Sequence, residues 1–199
     1  MEIIKGKYSG FCFGVKRAIN TAYSLSGENN YVLGELIHNE IVNDKLKNQG
    51  IKTIDSISGS ELKAGDNVLI RTHGETEENI NKLKELGCKI IDCTCPFVED
   101  IHKKVSKYYK LGYKIVIVGN ESHPEVIGIN GWCNNSAFIT VNFEDVNKLV
   151  EDKICIVVQT TYSTEKFDNF IKKITFNSSK TVEIFKTICY TTNMRRIEA

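Results

Sequence analysis

The segments "CPFVEDIHKKVSKYYKLG", residues 95–112, and "YKIVIVGNESHPEVIG", residues 113–128, stand end to end in this chain. The first has a helical apolar pattern and closes on Gly112, a residue suited to ending helices. Pro96 favours the first helical turn and pushes Cys95 out of it, so Cys95 reads as an N-cap. The second segment carries an unbroken Val/Ile run of the kind buried on both faces of a parallel sheet. It then enters a loop in which His123, Pro124 and Glu125 are consecutive. The same order occurs earlier, as "CFGVKRAINTAY" (12–23) and "YVLGELIHNEIV" (31–42). In both copies a cysteine opens the helix and a His-x-Glu triplet follows the strand. Cys12 and His38 are 26 positions apart and Cys95 and His123 are 28 apart, which reads as two copies of one α/β unit.

Further runs, "NVLIRT" (67–72), "CKIID" (88–92), "AFITV" (137–141) and "ICIVVQ" (154–159), alternate with helical patterns such as "ENINKLKELG" (78–87). Alternation of this kind predicts an α/β fold with mainly parallel sheets. A third copy begins in "VEIFKTICYTTNMRR", where a strand-like run ends at Cys189, and the chain stops at Ala199. By the same spacing a complete third unit needs roughly 80 to 95 further residues. The expected organisation is therefore a first unit over 1–94, a second over 95–188 and the start of a truncated third over 189–199.

Lys and Arg number 26 against 25 Asp and Glu, a net charge of +1 with the signs interspersed. That leaves no electrostatic footprint for nucleic acid or an acidic membrane surface. The start "MEIIKGKYSG" lacks the apolar core of a signal peptide, and no later run is long enough to cross a bilayer, so a cytoplasmic location is expected. Seven cysteines are an odd number, which argues against a closed disulfide framework and for metal or redox chemistry.

Cys12, Cys95 and Cys189 each precede a helical pattern. Thiolates at helix N-termini are favoured by the positive dipole end and free N–H groups, so these three are candidates for one metal centre. Cys88, Cys133 and Cys155 lie in or beside apolar segments and are assigned to the core. Cys93 with Cys95 offers a zinc chelate as an alternative. Among the histidines, His102 is placed on a solvated helix face with Lys103 and Lys104. His38, His73 and His123 follow strands, where α/β folds bind ligands, and imidazolium suits an anion such as phosphate. Pro124 makes His123 extended, so His123 and Glu125 are expected to face one pocket, with the carboxyl group relaying protons. On pattern alone Glu40 is an equal candidate for that role.

Taken together, "GFCFGVKRA" with Cys12, "GELIHN" with His38, "IRTHG" with His73, "DCTCPFV" with Cys95, "SHPEVIG" with His123 and Glu125, "VVQTT" with Thr160 and "ICYTTNMR" with Cys189 resemble the 4-hydroxy-3-methylbut-2-enyl diphosphate reductase family. These motifs run in order over essentially the whole chain. The resemblance implies three α/β units around a pseudo-threefold axis, the third almost entirely missing here, with Cys12, Cys95 and Cys189 holding a four-iron, four-sulfur (4Fe-4S) cluster. It implies that His38, His73 and His123 hold a diphosphate, that Glu125 donates a proton, and that Thr160 fixes the hydroxyl end, with Thr161 an adjacent possibility. An electron donor such as ferredoxin or flavodoxin is implied as partner. Two departures stand out. Cys93 replaces a small residue, and the family's Ser-x-Asn segment and a further Ser belong to the absent unit, so little activity is expected of the chain alone. The competing reading is a non-catalytic zinc- or metal-binding α/β protein.

Overall fold

The structure, a computed structural model, describes residues 3, 5–175 and 179–198. Two compact units divide the chain: a first unit, Cys12–Glu99, and a second unit, Met1–Phe11 with Asp100–Ala199. Residues 189–198 pack with the second unit, and the division falls inside the helix that follows Cys95.

The first unit contains α1 (Phe13–Tyr23), β1 (Asn30–Leu33), α2 (Glu40–Asn48), β2 (Ile51–Ile54), β3 (Asn67–Ile70), α3 (Glu77–Glu85) and β4 (Lys89–Asp92), followed by α4 (Pro96–Lys110), which runs on into the second unit. Its four strands are all parallel in the order β2-β1-β3-β4. Alternation along the strands serves two faces. Val32 and Leu69 join Ala18, Ala22 and Leu46 on one face, while Tyr31, Leu33, Val68 and Ile70 pack with Leu83 on the other. Both faces are thus covered by helices, which is why the strand sequences read as unbroken apolar runs.

The second unit repeats the plan with β5 (Lys114–Val118), α5 (Pro124–Gly131), β6 (Phe138–Thr140), α6 (Phe143–Asn147), β7 (Lys153–Val158), α7 (Thr164–Lys173), β8 (Thr181–Phe185) and α8 (Tyr190–Glu198). The sheet order is β6-β5-β7-β8, again all parallel. Ile115, Ile117, Cys155 and Val157 pack against Ile101, Val105, Val126 and Ile129; Val116, Val118, Ile156 and Val158 pack against Phe167 and Phe170. The expected class, repeated α/β units with parallel sheets, is what the chain forms. Because all strands in a sheet point the same way, the loops after β1 and β3, and those after β5 and β7, each open at the carboxyl edge of their own sheet.

The structure departs from the sequence reading in several places. β2 carries a buried Ile51 and a half-buried Ile54 around exposed Lys52 and Thr53, a pattern too polar to mark a buried strand. β8 ends at Phe185 rather than running to Cys189. His102, expected on a solvated face, is 5% exposed and stacks on Trp132 with ring centroids 5.3 Å apart, because the apolar face of α4 extends over its position. Cys88 is half-buried at the edge of its core rather than inside it.

Candidate functional site

Each of the three cysteines singled out by the sequence stands immediately before a helix. Cys12 is the N-cap of α1, with extended φ and ψ and no side-chain capping bond, and its carbonyl accepts from Lys16 N–H. Cys95 precedes α4, its carbonyl accepting from Val98 and Glu99, and Cys189 precedes α8, its carbonyl accepting from Asn193. Each thiol therefore begins where backbone N–H groups are free and the dipole favours negative charge. Cys12 and Cys95 belong to the first unit and Cys189 to the second. Among the described residues no group of three or more His, Cys, Asp or Glu side chains is gathered for a metal ion.

The first unit nevertheless brings its two cysteine loops together. A Cβ at Gly14 would lie 2.8 Å from Cys95 Sγ, closer than real Cβ atoms approach, so the thiol packs against α1 at this distance only because residue 14 is glycine. Arg17, on the next turn of α1, donates to the Thr94 carbonyl. The Cys12 helix is thereby pinned to the peptide that precedes Cys95. Cys93, by contrast, is 1% exposed inside the core, and burial pushes its thiol pKa up to about 11. Cys133 and Cys155 are likewise fully buried, and burial raises the Cys155 thiol to about 12.

At the carboxyl edge of the first sheet, His38 and His73 meet with ring centroids 4.5 Å apart. His38 is exposed, with Nδ1 3.6 Å from Glu35 Oε2. Arg71 follows β3 and packs against Gly34, whose φ of 70° and missing side chain both suit glycine; a Cβ there would lie 2.7 Å from the guanidinium. The guanidinium also stands 3.6 Å from the buried Glu75 carboxylate. Two imidazoles so close repel one another when both are protonated, and an anion between or above them removes that penalty.

In the second unit His123 is the N-cap of α5, its Nδ1 accepting from Glu125 N–H at 3.1 Å. The sequence had His123 and Glu125 on one extended segment. The extended conformation stops at His123, and Glu125 lies in the first turn of α5, because Pro124 starts the helix. Glu125 is 1% exposed, whereas Glu40, its counterpart by pattern, is exposed at the start of α2. Thr160 N–H donates to Glu125 Oε1 and Thr160 Oγ1 donates to Oε2, each at 2.6 Å. Desolvation raises the Glu125 pKa above its ordinary value, against the opposing pull of these two hydrogen bonds. The Thr160 carbonyl accepts from Cys189 N–H at 2.8 Å, so one threonine links the buried carboxyl group to the residue that opens α8.

Gln159 was missed by sequence reasoning. Its Oε1 accepts from Asn120 N–H at 3.1 Å and its Nε2 donates to Thr161 Oγ1 at 2.8 Å, tying the loop after β5 to the loop after β7. Its place directly beyond the central strand of the sheet was the available signal. Thr161 faces Gln159 through its hydroxyl and Thr160 faces Glu125, which separates two neighbours that the sequence left open.

Fold and side chains together define an α/β protein in which His38 and His73 stand at the carboxyl edge of one parallel sheet, and His123 with the buried Glu125 at that of the other, with cysteines opening helices in both units. The family model described as "LytB protein" matches residues 3–199, and the chain belongs to that family. A Clostridium tetani protein named 4-hydroxy-3-methylbut-2-enyl diphosphate reductase is 48% identical over 203 residues, covering 100% of this chain and 32% of its own length. A Clostridium perfringens protein of the same name is 44% identical over 198 residues, covering 98% of this chain and 70% of its own. Among solved structures, one of (E)-4-hydroxy-3-methyl-but-2-enyl diphosphate reductase superposes with a TM-score of 0.79 at 37% identity, over 98% of this chain and 71% of that one. The corresponding reductase from Plasmodium falciparum gives 0.82 at 31% identity, over 92% and 59%. The chain thus spans about a third of the length of the first of these relatives and 70% of the second.

Proposed function

We propose that this protein acts, like the reductases it resembles, on 4-hydroxy-3-methylbut-2-enyl diphosphate, by a reductive dehydroxylation. Two electrons and two protons remove the hydroxyl group as water and leave isopentenyl and dimethylallyl diphosphates. The observation that carries the reading is Glu125: a carboxyl group 1% exposed, with both oxygens on Thr160 and a raised pKa, is a proton source held in a dry site. Thr160 orients that group and offers its hydroxyl to the substrate's hydroxyl end. His38, His73 and His123 hold the diphosphate, a role supported by the 4.5 Å approach of the first two rings.

Cys12, Cys95 and Cys189 would hold a 4Fe-4S cluster, one from each of three units (1–94, 95–188 and 189–199, the start of a third). The fit rests on three helix-opening thiols and on the close approach of Cys95 Sγ to Gly14, two residues after Cys12. Held by these three cysteines, such a cluster would supply the electrons and Lewis acidity for loss of the hydroxyl group. Electrons reach it from a small redox protein such as ferredoxin or flavodoxin. No described helix is long and apolar enough to cross a membrane.

Anaerobic reconstitution followed by iron, sulfide and zinc analysis tests the reading. Brown protein with roughly four irons per chain is expected. Colourless protein with stoichiometric zinc would favour a non-catalytic metal-binding role and overturn it.

A further inference from the structure

We infer that Thr72 is a positioning residue for the anion site of the first unit, an assignment that rests on reading His38 and His73 as diphosphate ligands. Thr72 is 6% exposed and lies two residues beyond β3. Its N–H and its Oγ1–H both donate to the Leu36 carbonyl, at 3.2 and 3.3 Å. A carbonyl oxygen has two lone pairs, so it can satisfy both donors at once. Leu36 is fully buried and stands two residues before His38. The Thr72 carbonyl in turn accepts from Cys95 N–H at 3.0 Å. Gly74 N–H donates to the Arg71 carbonyl at 3.0 Å, closing a turn with Thr72 and His73 at its centre.

One buried residue therefore fastens three places: the loop that carries His38, the turn that carries His73, and the residue that opens α4. The separation of the two imidazoles is a difference between the positions of two loops after adjacent strands. A tie between those loops sets it more directly than anything within either loop. The second unit supports this reading independently. Thr160, two residues beyond β7, also presents its carbonyl to the amide of a helix-opening cysteine, at 2.8 Å, and also directs N–H and hydroxyl to the segment after the neighbouring strand, here the first turn of α5. The recurrence makes Thr72 a built feature of the unit. A hydroxyl group spent on the Leu36 carbonyl acts on anion binding through the histidines, without touching the anion.

The test is titration of the full 199-residue chain with inorganic diphosphate, read by calorimetry and by the imidazole ¹⁵N resonances of His38 and His73. Wild type, Thr72→Val and Thr72→Ser are compared well below their unfolding midpoints. In wild type and Thr72→Ser the anion shifts both imidazole signals with similar affinity. Thr72→Val, which keeps shape and backbone but loses the hydroxyl, binds roughly fivefold more weakly, the effect of about one neutral hydrogen bond. Should Thr72→Val fail to fold, Thr72→Ala against Thr72→Ser isolates the hydroxyl in the same way. Equal affinity with and without the hydroxyl overturns the role of Thr72 and leaves the histidines as ligands. No diphosphate binding by wild type overturns the histidine reading itself, and this assignment with it.

Discussion

Thr72 and Thr160 occupy the same place in two sheets of the same order, each accepting a cysteine amide on its carbonyl and sending N–H and hydroxyl to the segment that follows the neighbouring strand. What differs is the acceptor. In the first unit it is the Leu36 backbone carbonyl, which no pH change within the stable range will protonate. In the second it is the Glu125 carboxyl group, which can hold or release a proton. The backbone device is shared, and a single side chain converts a purely structural tie into one that is linked to pH. A change of chemistry at one end of a repeated unit thus needs no change of fold.

The linkage has a definite sign. The folded-state pKa of Glu125 is raised above its ordinary 4.5, chiefly by desolvation. Its contribution to stability is therefore fully present below the ordinary value and is lost as pH rises through the raised one. Nothing of the kind attaches to the Thr72 tie.

The largest expected effect concerns what the two units share, the helix-opening cysteines. Cys12→Ser or Cys95→Ser abolishes iron retention after reconstitution, while Cys88→Ser, at the half-buried edge of its core, retains it. Equal iron in all three variants would sink the ligand assignment. Next comes Gly14→Ala, whose new methyl group must displace the Cys95 thiol from 2.8 Å. Helix propensity alone would make this change mildly favourable. A folded protein with markedly reduced iron is therefore the expected outcome, and wild-type iron content would show that the close packing of Cys95 on Gly14 is not needed.

The comparison itself is broken or sharpened by Thr160→Val against Thr72→Val. Removing the hydroxyl costs about 1–3 kcal/mol where Glu125 is ionised and less at a lower pH, where it is closer to neutral. Thr72→Val costs about 0.5–1.5 kcal/mol, with no such pH dependence. Urea unfolding at both pH values checks this, and Glu125→Gln should flatten the pH profile of the second unit's stability. Identical pH profiles for the two threonine variants would erase the distinction between carbonyl and carboxyl acceptors. The smallest effect is expected of Glu40→Gln. Glu40 is exposed at the first turn of α2, and its loss should change stability by less than about 0.5 kcal/mol, measured the same way.

The Val/Ile runs, the helix-ending glycines and the cysteines before amphipathic patterns were legible because each is a local signal, carried by neighbours within a few positions. They were enough for parallel α/β units and for Cys12, Cys95 and Cys189 at helix starts. The choice between Glu40 and Glu125 was not legible from pattern. Both follow a strand in a His-x-Glu triplet, and only packing buries one, where α5 presses Val126 and Ile129 into the core. His102 was misplaced for a similar reason: its lysine neighbours in sequence say nothing of Trp132, thirty residues on, which covers it.

Local periodicity and turn chemistry determined the class of fold, the repeat and the inventory of polar residues at the strand ends. Tertiary structure decided which of those residues act together. Glu125 and Thr160 are 35 positions apart and Thr72 and Leu36 are 36 apart. Each pair meets only because sheet order sets their strands side by side, an outcome of how whole strands pack rather than of any sequence near either residue.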